Sequence, residues 1–181
     1  MQFHYCRALT TLVRTKMTKL ILPLAAVAAL CATSTSYAQE FNTEDEINMQ
    51  QCIETVHQLQ SDGENISMRE CIGAASRVCM DEPGGSSTVG MSECTMRENA
   101  WWDQHLNFLY QDLKDNLTSE QFTKLRDAQR AWIKFRDADC DFNYEYWKEG
   151  TIRSTFYTSC VLDKTANRAI ELESFLDWVN L

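Results

Sequence analysis

The chain has 181 residues, 44% of them hydrophobic, and carries 26 Asp+Glu against 17 Lys+Arg for a formal net charge of −9. Such an acidic balance argues against nucleic-acid binding and against adhesion to anionic lipid, both of which need a basic face. It leaves open an attraction to basic partners, and the length suits a domain that buries a real core without needing a metal.

Residues 1–38 read as a signal peptide that is removed. Arg7, Arg14, Lys16 and Lys19 precede or flank an apolar stretch from Leu20 to Leu30, and no acid occurs before Glu40. That run of about 11 residues is too short for a spanning helix, which needs roughly 20. Ser36-Tyr37-Ala38 offers small residues at the two positions a signal peptidase reads, so cleavage is expected after Ala38. Met17 opens a leader of more usual length and is an alternative start to Met1. Cys31 follows Leu30 rather than a small residue, which speaks against lipid attachment. Cleavage would remove four basic residues and no acid, leaving 13 Lys+Arg against 26 Asp+Glu and a formal charge of −13. The expected location is the periplasm or the exterior of a bacterium.

Residues 39–181 are expected to form a single all-α domain, a compact bundle of about five helices arranged as disulfide-linked antiparallel hairpins. The first helix runs from an N-cap at Thr43, with Glu46 three residues on, to about Gln60, and Ser61-Asp62-Gly63 ends it. A second, capped by Ser67 with Glu70, reaches about Met80 before the Pro83 to Ser87 breaker. The third starts near Met91 and places Trp102, Leu106, Leu109, Leu113 and Leu117 at helical spacing. Thr118 and Gln121 form a capping box for the fourth, which sets Phe122, Leu125, Trp132, Phe135 and Phe142 along one side and stops near Gly150. The fifth, from about Ser154, carries Phe156, Cys160, Ala169, Leu172, Leu176 and Val179 to the C-terminus.

Of eight cysteines, six remain after the leader, an even number suited to disulfides in an oxidising compartment. Residues facing each other in an antiparallel hairpin lie equally far from its turn. Cys52 and Cys71 centre on the Ser61-Asp62 turn, Cys79 and Cys94 on Ser86-Ser87, and Cys140 and Cys160 on Gly150. The midpoints predict the pairs Cys52–Cys71, Cys79–Cys94 and Cys140–Cys160. No CxxC supports a metal site, and no cofactor is expected.

No catalytic constellation emerges, and the protein is not expected to be an enzyme. His57 and His105 fall on separate helices, and no GxSxG elbow is present. Asp137, Asp139, Asp141 and Asn143 imitate the start of a calcium loop, but Phe142 and Lys148 stand where an EF-hand needs Gly and a bidentate Glu. With 26 acids, a carboxylate pair of the kind that hydrolyses glycosides carries little information. Asn65-Ile66-Ser67 and Asn116-Leu117-Thr118 match a glycosylation pattern that matters only in a eukaryotic host. Arg130 and Arg136 could act as ligand-holding forks, though surface ion pairs beside a Trp132 and Phe135 core stripe explain that segment as well. Contact residues are sought in the 81–90 loop and the 147–152 turn, since loops commonly carry function.

A specific set of residues carries a family resemblance: Cys94; Leu106-Asn107 with Tyr110 and Leu113; Gln129-Arg130-Ala131-Trp132-Ile133; Phe135-Arg136-Asp137-Ala138 and Cys140; then Cys160, Thr165 and Arg168. Over about residues 94–176 the chain resembles the lysozyme inhibitor LprI-like N-terminal domain family, although relatives often have two glycines near the last turn where only Gly150 stands here. The resemblance implies an exported binding protein that inhibits lysozyme, a basic partner suited to an acidic chain. A periplasmic stress or chaperone-like protein without enzymatic activity is the alternative reading, and a cell-wall hydrolase ranks below both.

Overall fold

The computed structural model describes residues 40–179; the leader, its cleavage site, Cys31 and the two candidate start codons lie outside the described residues. Five α-helices follow one another, with no strand among the described residues: α1 (Thr43–Ser61), α2 (Ala74–Asp81), α3 (Thr88–Asn116), α4 (Ser119–Tyr146) and α5 (Arg153–Val179).

The cap of α1 lies one residue earlier than the sequence suggests. Asn42, not Thr43, is the N-cap, and its side chain accepts from the Asp45 amide at 2.9 Å while the Asp45 carboxylate accepts from the Asn42 amide at 2.9 Å. Asp45 prevails over Glu46 because it has a second use. It is buried against α3, where the Arg97 guanidinium grips both its oxygens at 2.7 and 2.9 Å. The hydrogen bond to Asp45 raises the Arg97 pKa against the opposing effect of burial. Glu46 instead accepts from the Trp101 indole N–H at 2.8 Å.

The predicted second helix is two pieces. Ser67 caps a single 3-10 turn, Met68–Cys71; Ile72 is then extended and Gly73 adopts φ +92° before α2 begins. The interruption has a partner across the core. Glu98 of α3, fully buried, accepts from the backbone amides of Gly73 at 2.6 Å and Ser76 at 2.8 Å, and from the Trp102 indole at 3.1 Å. Gly73 has no side chain to cap α2, so Glu98 does this work from a distance.

α3 begins at Thr88, capped by Ser87, three residues before the expected start. Gly85 and Gly90 allow this tight entry: a Cβ on either would collide with the carbonyl of Cys79 or Gly84. The most extensive helix pairing among the described residues is α3 with α5, joined by Trp102, Leu106, Leu109 and Leu113 on one side and Leu162, Ala166, Ala169 and Leu172 on the other. The alanines let the two helices approach. α1 and α2 cover one flank of α3, while α4 packs on α5.

Three disulfides join neighbouring elements: Cys52–Cys71, Cys79–Cys94 and Cys140–Cys160.

Candidate interaction surface

α4 departs most from its sequence reading. Its capping box, Thr118 with Gln121, is as expected. Phe122, Leu125 and Trp132 turn inward, but Phe135 and Phe142 of the same proposed stripe are 56% and 65% exposed. The helix also ends at Tyr146 rather than near Gly150, because Trp147 leaves the axis to stack on Phe156 of α5 with ring centroids 4.7 Å apart. Both rings of the stack stay at the surface, Trp147 40% and Phe156 41% exposed.

Around this stack the α4–α5 turn gathers aromatic rings. Tyr146, 68% exposed, meets Trp147 edge-on at 5.2 Å, and Tyr144 meets Tyr157 edge-on at 6.0 Å. The Arg153 guanidinium lies 4.7 Å above Tyr144 and donates to the Lys148 carbonyl at 3.3 Å. Asp141, Glu145 and Glu149 are exposed in the same segment, Glu145 paired with Lys148 at 3.2 Å. Cys140–Cys160 sits at the base of this tip and fixes the distance between its two helices.

Large rings that are exposed yet held in place by one another suit recognition, since they lose little freedom on binding and bring much apolar area. Of the turn and loop nominated by sequence, the 147–152 turn belongs to this surface. The 81–90 loop instead lines an open cleft of about 300 Å³ with Cys79, Cys94 and Arg97. Tyr144, Tyr146 and Tyr157 escaped the sequence reading; the density of aromatics between 142 and 157 was their signal.

The other nominated residues stay apart. His105 stacks on Trp101 at 5.2 Å, and burial lowers its pKa. His57 lines a different groove, of about 460 Å³, with Glu173 and Asp177. Burial raises the Glu173 pKa, opposed by the charge of His57. Arg136 is committed to its neighbour Asp137 at 2.8 Å and to the Trp132 ring at 5.1 Å; Asp139 pairs with Lys164 at 3.0 Å. The first pairing lies along α4 and the second joins α4 to α5, and no cluster able to hold a metal occurs among the described residues.

A family model described as lysozyme inhibitor LprI matches residues 79–172. The chain belongs to this family. No curated protein and no solved structure gives a significant match. The match starts at Cys79 rather than near Cys94, so it takes in the Cys79–Cys94 bridge as well as α3, α4 and α5.

Set on the structure, many of the residues that carry the LprI resemblance hold α4 against α5. Arg168 donates through Nε to buried Gln129 at 2.8 Å and pairs with Glu171 at 2.6 Å. Cys140 and Cys160 form the bridge, and Trp132 packs against the core cluster. Leu106 and Leu113 belong to the α3–α5 seam. The signature therefore secures the platform from which the aromatic tip projects.

Proposed function

We propose that this chain is an exported, non-enzymatic binding protein that blocks a lysozyme, and that the aromatic tip at the α4–α5 turn makes the contact. The observation that carries the reading is the coincidence of LprI family membership with exposed, mutually braced rings set among carboxylates. Lysozymes are typically strongly basic, so the acidic chain would attract them over long range while Tyr144, Tyr146, Trp147 and Phe156 supplied the short-range anchor. Three disulfides support a site of action outside the cytoplasm. No helix among the described residues is long and apolar enough to cross a membrane.

The test is the clearing of a peptidoglycan suspension by lysozymes of different classes, with purified protein added in increasing amounts. Inhibition approaching completion near equimolar protein is expected for at least one class. Unchanged clearing with every class would end the proposal.

A further inference from the structure

We infer that the exposed face of α4 pairs antiparallel with the same face of a second copy of this chain. Ala128, Ala131, Phe135, Ala138 and Phe142 are all exposed and follow one another at intervals of three, four, three and four residues. That is the period of a coiled-coil seam, and it spans about 21 Å of helix. The stripe is offset from the inward line of Leu125, Gln129, Trp132 and Cys140, which faces α5; only the edge of Phe135 is shared, its ring lying 5.1 Å from Lys164 of α5 while the residue stays 56% exposed.

Its small and large residues alternate in a way that fits its own reverse. With a twofold axis between Arg136 and Asp137, Phe135 of one copy faces Ala138 of the other, and Phe142 faces Ala131. Every phenylalanine meets an alanine, as close packing of two helices requires. A parallel arrangement would set Phe against Phe. The charges follow the same symmetry: Lys134 and Asp141 are exposed, seven residues apart on one edge of the stripe, and the axis brings Lys134 of each copy within a turn of Asp141 of the other. The two ion pairs so formed are identical by symmetry, as an isologous interface demands. Neither residue has an ion-pair partner within the described part of its own chain, whereas neighbouring Asp137 and Asp139 are taken by Arg136 and Lys164. The complementarity of size and charge selects a second copy over an unrelated partner.

The pairing points the two aromatic tips in opposite directions; the Trp147–Phe156 stack lies off the seam, while Tyr146, whose ring packs on Phe142 at 6.1 Å, borders it. This inference does not depend on lysozyme being the partner. Sedimentation equilibrium of the purified protein tests it directly. A concentration-dependent dimer is expected, dissociated to monomer by Ala138→Glu and weakened about tenfold or more by Lys134→Glu or Asp141→Lys alone. Combining Lys134→Glu with Asp141→Lys should restore the dimer, because the pair is re-formed with its signs exchanged. All these positions are exposed, and unchanged circular dichroism would verify that the variants fold. A protein that stays monomeric up to its solubility limit would overturn the inference. So would a dimer unaffected by Ala138→Glu, or single charge reversals that the double variant fails to rescue.

Discussion

A carboxylate with no exposed surface needs a reason to be where it is, and for Glu98 that reason is three N–H donors from two chain segments. Truncating it strands the Gly73 and Ser76 amides at the start of α2 and the Trp102 indole in the core. Glu98→Ala should lower unfolding stability by about 3 kcal/mol in urea titration, with Glu98→Gln losing less because it retains an acceptor. His105 offers a pH test of the same region. Burial against Trp101 depresses its pKa below the ordinary value of 6.5, so the folded state favours the neutral ring. Its contribution is full above the unfolded pKa and is lost as the pH falls through the lower folded value. Melting temperature should therefore fall between neutral and mildly acidic pH, and His105→Gln should flatten that part of the profile. An unchanged slope would show that His105 is not responsible.

At the scale of elements, the helices could be read from apolar spacing and caps because both are local properties. The Thr118–Gln121 box and the Trp102 to Leu113 stripe needed nothing from elsewhere in the chain. The errors fall where a distant residue intervenes. Asp45 displaced Glu46 as cap partner because Arg97 lies across from it, and the predicted second helix broke at Gly73 because Glu98 supplies a remote cap. In α4 two apolar stripes interleave, and periodicity alone could not tell that Phe135 and Phe142 belong to the outer one. The aromatic tip was only half legible: the 147–152 turn could be nominated as a loop, but the stack of Trp147 on Phe156 depends on how α4 leaves its axis. The facing cysteines were accessible from turn midpoints, since hairpin geometry relates sequence distance to spatial distance. Cys140–Cys160 closes a separation of 20 residues and holds an otherwise lightly buried α4. Replacing both cysteines by serine should cost about 3 kcal/mol in the chain-entropy model. Limited proteolysis should then cut first within α4 or the 147–152 turn; cleavage first in α1 would show that the bridge is not what secures α4.

For the molecule as a whole, the division of labour is between an α3–α5 seam, flanked by α1 and α2, and an outlying helix, α4, on which Phe135, Phe142, Tyr144 and Tyr146 are exposed. Gln129, Cys140, Cys160 and Arg168 of the LprI resemblance hold that helix in place, and the net charge of −9 favours basic partners. Charge and rings should separate experimentally, since long-range attraction fades with salt while apolar anchoring does not. Calorimetric titration of a lysozyme that the protein inhibits, comparing wild type with Trp147→Ala and Tyr144→Ala, tests the role of the tip most directly. Binding by wild type that persists at raised salt, and a loss of at least tenfold in affinity for each variant with melting temperature unchanged, is the expected result. Variants that bind and inhibit as wild type does would contradict it and place the contact elsewhere on the molecule.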